Sequence, residues 1–144
     1  MKSWIKQYPN GVIIHSAAVG DFAVEDHSNG KIASGTTLEL KLVPTPKILD
    51  KIKEWSSDCF LVSFKAAAPH TSLDELQSIA QKQLLRSHSD LVFANVLGAI
   101  HSECIVLGKD DSYRSQNRND ALQQLLQLIR LHTMNEEFPS SEVD

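Results

Sequence analysis

Phe60-Leu61-Val62-Ser63-Phe64 and Leu91-Val92-Phe93-Ala94 are the stretches that decide the fold. Each is a short, almost wholly apolar run, the composition of a strand buried on both faces rather than one half open to water. The segment between them has a different period. Ser72 and Glu75 stand at capping-box spacing, and Leu76, Ile79, Ala80 and Leu84 fall on the inner face of the helix that follows. Upstream, Val12-Ile13-Ile14 reads as another buried strand, ending in the small residues Ser16-Ala17-Ala18. Leu38, Leu40 and Leu42 alternate with Glu39 and Lys41, the pattern of a half-exposed strand. Thr45 is placed to cap a helix with Pro46 at its first position, carrying Ile48, Leu49, Ile52 and Trp55 on one face and ending near Ser56. Downstream, Ile105-Val106-Leu107 makes a fourth apolar strand. After the polar stretch from Lys109 to Arg118, Leu122, Leu125, Leu126 and Ile129 define a last helix. Strands alternating with helices, with uniformly apolar strands among them, predict an α/β fold with a mostly parallel sheet covered by helices on both faces.

The remaining segments are less periodic. Met1 to Gln7 makes a short helix broken by Tyr8-Pro9-Asn10-Gly11, and Gly20 to Gly35 reads as a long loop of the kind that is often functional. With 144 residues, of which 42% are hydrophobic, the chain suffices for one core. The expected organisation is a single α/β domain over 1–132 and an acidic, flexible tail over 133–144. The formal charge of −4 argues against a nucleic-acid partner, since no general attraction for a phosphate backbone results. No apolar run reaches the roughly 20 residues that span a bilayer. Two cysteines, Cys59 and Cys104, make no disulfide framework or zinc spacing, and they are expected to be inert packing residues in a reducing, cytoplasmic compartment.

In open α/β sheets ligands gather at the C-terminal strand ends. Ser16-Ala17-Ala18-Val19-Gly20-Asp21-Phe22, Phe64-Lys65, Asn95 and the loop with Lys31 lie there. Ala17, Ala18 and Gly20 allow a flat ligand close to the backbone, and Asp21 can accept hydrogen bonds, although local pattern alone favours a tight strand-to-loop turn with an Asx-type bond by Asp21. Lys31 and Lys65 suit phosphate oxygens, or are simply solvated. Neither GxxxxGK[ST] nor GxGxxG occurs. Six histidines show no metal-ligand spacing, and His15 on its apolar strand is expected to be a hydrogen-bonded core residue.

The order of these segments resembles the phosphopantothenate-cysteine ligase family, closer to its eukaryotic type. Ala17-Ala18-Val19-Gly20-Asp21-Phe22 is similar to the family's Ala-Ala-Val-(Ser/Ala)-Asp-(Phe/Tyr), and Lys31-Ile32-Ala33-Ser34 to its Lys-Ile-(Lys/Gln)-Ser. Leu38 to Thr45, Val62-Ser63-Phe64-Lys65 and Asp90-Leu91-Val92-Phe93-Ala94-Asn95 follow in the family's sequence. The resemblance runs from about Val12 to Leu107. It implies a Rossmann-like fold and a nucleotide-driven ligation of phosphopantothenate to cysteine in coenzyme A biosynthesis, with ATP or CTP as substrate and Mg2+ as its counter-ion. Carried onto this chain, it makes Lys31 the catalytic cation and Ala17, Ala18, Asp21, Phe64, Lys65 and Asn95 the nucleotide-binding set, with no protein metal ligands. It also implies a homodimer, or a partner supplying the family's glycine-rich N-terminal half, which these residues do not contain. Ala66-Ala67-Ala68-Pro69-His70-Thr71 departs from the family's Glu-Thr, and Ala94-Asn95-Val96 from the bacterial Ala-Asn-Asp. A noncatalytic nucleotide-binding or interaction module of the same fold is the alternative.

Overall fold

The structure, a computed structural model, describes residues 1–25, 30, 34–35, 37–98 and 103–137. The chain divides into two compact units, one made of 1–16 with 49–144 and the other of 17–48, where the sequence pattern implies one domain.

The larger unit is built on a five-stranded sheet in the order β1(Val12–His15), β4(Phe60–Ala67), β5(Leu91–Val96), β6(Cys104–Leu107), β7(Ser112–Ser115). β1 pairs with β4 and β4 with β5 in parallel, while β6 is antiparallel to both its neighbours. β7 therefore points the same way as β1, β4 and β5, so four of the five strands share one direction and the sheet is mostly parallel as expected. β7 falls in the polar stretch read as connecting chain. It is an exposed edge strand, and its hydrogen bonds to β6 hold it without an apolar pattern.

Helices cover both faces. On one, α3(Leu73–Ser87) sets Leu76, Ala80 and Leu84 against Val92, Ala94, Val96 and Ile105. On the same side, Ile5 of α1(Lys2–Gln7) and Leu49 and Ile52 of α2(Ile48–Trp55) meet Ile13, Cys59 and Leu61. That Leu61 and Val92 share this face follows from the register, in which Val62 lies opposite Leu91 and Ser63 opposite Val92. On the other face α4(Arg118–Glu137) sets Ala121 and Leu125 against Val62, Leu91, Phe93 and Val106. α4 runs past 132, where the sequence reading ends the domain, and residues 138–144 lie outside those described. Leu126, expected on its inner face, is exposed.

α3 starts where the capping box predicts. The Ser72 hydroxyl accepts from the Glu75 amide, and the Glu75 carboxylate accepts from the Ser72 amide at 3.0 Å. α2 starts later than expected, at Ile48, because Thr45 is engaged elsewhere. Its hydroxyl donates to the Gly20 carbonyl and its amide to the Asp21 carbonyl.

That engagement belongs to the smaller unit, an antiparallel pair of β2(Phe22–Val24) and β3(Leu42–Pro44) in which Phe22 lies opposite Pro44. β2 occupies part of the stretch read as loop. The strand expected over Leu38 to Leu42 begins only at Leu42, and Leu38, Leu40 and Leu42 are all exposed. Their alternation has no core to face, since a two-stranded ribbon has too little surface to bury it.

Candidate functional site

The site elements start from the unequal lengths of β1 and β4. β1 ends with His15 opposite Ser63, whereas β4 continues through Phe64, Lys65, Ala66 and Ala67. The backbone edge of those four residues has no β1 partner. This stretch beyond the end of β1 lies at the carboxyl ends of the parallel strands, the usual ligand crevice of such sheets.

Strand alternation then sorts the expected residues. Phe64 lies opposite Phe93, their rings 5.2 Å apart, and both belong to the α4 side. Asn95 is two residues beyond Phe93 and so shares that face. It is part-buried, and its Nδ2 donates to the Val96 carbonyl at 3.3 Å. Lys65, one residue on from Phe64, projects to the opposite side. There it lines a cleft of about 430 Å³ with Ile79, Lys82, Gln83 and Arg86 of α3 and with Ala66, Ala67 and Ala68. The structure thus brings Phe64 and Asn95 together and separates Lys65 from them.

Ala17, Ala18 and Asp21 belong to the smaller unit. All three are exposed. The Asx-type bond offered as an alternative for Asp21 is not made: its carbonyl accepts from Thr45, and its carboxylate has no hydrogen-bond partner among the described residues. Lys31 lies outside the described residues.

His15 differs from expectation. Its Nε2 is buried and has no hydrogen-bond partner among the described residues, so the ring is not the satisfied core group that its strand position suggests. Cys59 and Cys104 are both buried, and burial pushes the Cys59 thiol above its ordinary pKa, consistent with packing residues. Among the described residues no group of three or more His, Cys, Asp or Glu side chains is placed to hold a metal, and no helix is long and apolar enough to cross a membrane.

Sequence reasoning missed a polar network behind the cleft. Gln83 is 7% exposed, and its Nε2 donates to Ser63 Oγ at 3.0 Å and to the Phe64 carbonyl at 3.2 Å. Ser89 Oγ donates to Ser63 Oγ at 2.9 Å, and Ser87 Oγ to the Gln83 carbonyl at 2.7 Å. The signal was a glutamine on the inner stripe of α3. The network fixes the strand-to-helix distance just below Phe64 and Lys65.

A mostly parallel sheet flanked by helices on both faces defines a Rossmann-like α/β fold. The chain belongs to the family described as the DNA/pantothenate metabolism flavoprotein C-terminal domain, which matches residues 1–130. This agrees with the coenzyme A biosynthesis family to which the ordered motifs point. Over 113 residues it is 43% identical to the coenzyme A biosynthesis bifunctional protein CoaBC of Thermococcus kodakarensis, a match that covers 76% of this chain and 28% of that protein. The protein of the same name from Methanocaldococcus jannaschii is 36% identical over 88 residues, or 60% of this chain and 21% of that one. The chain therefore spans about a quarter of the curated relatives it matches. Among solved structures, the DNA/pantothenate metabolism flavoprotein from Streptococcus pneumoniae superposes with a TM-score of 0.74 at 28% identity, over 91% of this chain and 66% of that one. A Cab2 mutant in complex with phosphopantothenate-cysteine does so with a TM-score of 0.69 at 25% identity, over 97% of this chain and 50% of that one.

Proposed function

We propose that the chain serves the nucleotide-dependent ligation of phosphopantothenate to cysteine, as a fragment or subunit of the ligase. The observation that carries the reading is the placement of Phe64 and Asn95 on one face of the sheet, where β4 runs on past β1, in a chain of this family. A flat base suits the Phe64 ring, and the Asn95 amide offers both a donor and an acceptor to it.

In the proposed reaction the phosphopantothenate carboxylate attacks the α-phosphate of ATP or CTP. The bond to the β-phosphate breaks and pyrophosphate leaves. The cysteine amine then attacks the acyl carbon, the nucleoside monophosphate departs with the bonding electrons, and the amine gives up a proton. Lys31 balances charge building on the phosphates, the term that dominates such transfers. The Ala17 and Ala18 backbone and the Asp21 carboxylate orient the ligand. Magnesium enters with the triphosphate, held by phosphate oxygens. The chain works in the cytoplasm, as a homodimer or with a glycine-rich partner segment.

Calorimetric titration with adenosine, cytidine, ATP and CTP tests the nucleotide part of this reading. Asn95→Ala should weaken nucleoside and triphosphate alike, by about 1 kcal/mol for one lost hydrogen bond. Unchanged affinities for all four ligands would remove Asn95 from the site.

A further inference from the structure

We infer that Gln83 of α3 is a positioning residue for the nucleoside site: its side-chain amide replaces the ladder donor that β1 does not supply at Phe64, and so sets the direction in which the Phe64 ring meets a base. The inference rests on the ligase reading for the identity of the ligand, but the hydrogen bonds that carry it are independent of that reading. The directions of the β4 carbonyls come first. The Leu61 carbonyl accepts from the Asp90 amide at 2.8 Å and the Ala67 carbonyl from the Leu97 amide at 3.0 Å, so both point toward β5. Successive residues of a strand turn their backbone groups to alternate neighbours. Phe64 stands three residues from each, so its carbonyl points toward β1, as the Phe60 amide does in donating to the Gly11 carbonyl at 3.1 Å. β1, however, ends at His15, opposite Ser63. The first β4 carbonyl past the end of that ladder is therefore the one in the peptide joining Phe64 to Lys65, and it accepts from Gln83 Nε2 at 3.2 Å.

The glutamine is held so that it can do this. Its nitrogen carries two protons, one given to Ser63 Oγ at 3.0 Å and the other to the Phe64 carbonyl. Because a carbonyl only accepts, these bonds fix which end of the amide is nitrogen. Behind it, Ser87 Oγ donates to the Gln83 carbonyl at 2.7 Å and lies 2.7 Å from Ser89 Oγ, which donates to Ser63 Oγ at 2.9 Å. The bonds close a ring from the Gln83 backbone through three hydroxyls to its own side-chain amide. All three serines are at most 1% exposed, so the ring sits in a medium where fully satisfied polar groups hold one geometry. An apolar residue at this place on the inner stripe, among Leu76, Ala80 and Leu84, would pack without desolvating an amide. Packing alone therefore does not require a glutamine, whereas the carbonyl past the end of β1 requires a donor. The bond restrains the peptide on either side of which Phe64 turns to the α4 face, against Phe93, and Lys65 to the α3 face.

Calorimetric titration with adenosine and cytidine, run beside thermal unfolding, tests the role on Gln83→Met, Gln83→Lys and Ser63→Ala. Methionine matches the length of glutamine but donates nothing, lysine keeps a donor for both acceptors, and Ser63→Ala breaks the ring while leaving the bond to Phe64 in place. Gln83→Met and Ser63→Ala should both lower the thermal midpoint. Only Gln83→Met should weaken the nucleosides, by about fivefold as one lost hydrogen bond implies, and Gln83→Lys should recover most of that affinity. Unchanged nucleoside affinity in Gln83→Met, an equal loss in Ser63→Ala, or no recovery in Gln83→Lys would reduce Gln83 to a packing residue and overturn the inference. Nucleoside binding that falls with Asn95→Ala but not with Gln83→Met leaves the ligase reading standing and removes Gln83 from it. A wild type that binds neither nucleoside removes the nucleotide reading, and the positioning role with it.

Discussion

Asp90 shows how much one side chain can organise. Its Oδ2 accepts from Lys53 Nζ at 2.7 Å and from the Leu61 amide at 2.8 Å, while its own amide donates to the Leu61 carbonyl at 2.8 Å. Lys53 also donates to the Cys59 carbonyl at 2.5 Å, so one ion pair ties α2, the entry to β4 and the entry to β5. Both side chains are mostly buried, so Asp90→Ala leaves an ammonium and an amide unmatched. The variant should lose about 2 to 4 kcal/mol in chemical denaturation, less than for a fully buried pair because some water reaches it. At the same scale, Lys31→Ala should weaken triphosphate binding by about 1.5 to 3 kcal/mol while leaving the nucleoside unaffected. Equal loss for both ligands would place that loop on the base. Cys59 and Cys104 should resist alkylation in the native protein and react at the rate of unfolding, as mass spectrometry of timed samples would report. Asp90 stood in the family-like motif from the start, but its structural role was invisible in sequence, since Lys53 and Leu61 are distant along the chain.

Among elements, α3 and β3 mark the limits of what sequence reveals. The α3 cap is a local device, with both partners within three residues, and it forms as read. Ser72→Ala should cost about 1 kcal/mol of stability. Hydrogen bonds from the Ser72 backbone and side chain hold the Glu75 carboxyl below its ordinary pKa of 4.5. A lowered pKa in the folded state stabilises the fold above the unfolded value and loses that contribution as pH falls through the folded one. The stability difference between wild type and Glu75→Gln should therefore be constant above about pH 5 and shrink below pH 4.5; a difference that grows on acidification would contradict the cap. The uniformly apolar strands β4, β5 and β6 were legible for a similar reason, because burial on both faces writes itself into every residue. Leu38, Leu40 and Leu42 misled because alternation reports a face, not whether anything covers it. Thr45 misled because its partners, Gly20 and Asp21, are far away in sequence.

At the scale of the whole molecule, the sequence carried the order of the strands' motifs and hence the family, but not the side of the sheet each residue takes. Phe64 and Asn95 were named as a set with Lys65, and only the register divides them. Gln83 was hidden within an otherwise well-read helix, where a glutamine on the apolar stripe was the only sign of the network behind it. Phe22, Leu38, Leu40 and Leu42 of the smaller unit are exposed apolar side chains, which the proposed homodimer would give a surface to cover. Sedimentation at micromolar concentration should show a dimer, and Leu40→Glu should shift it to monomer; a wild-type monomer would count against the assembly. The ligase reading itself is tested most directly by cysteine-dependent pyrophosphate release from phosphopantothenate with ATP or CTP. The chain is predicted to be silent alone and to turn over when a glycine-rich N-terminal segment from a family member is supplied. Robust release by the chain alone would contradict the proposal that it acts as a fragment or subunit, and silence of the reconstituted pair with both nucleotides would contradict the ligase reading.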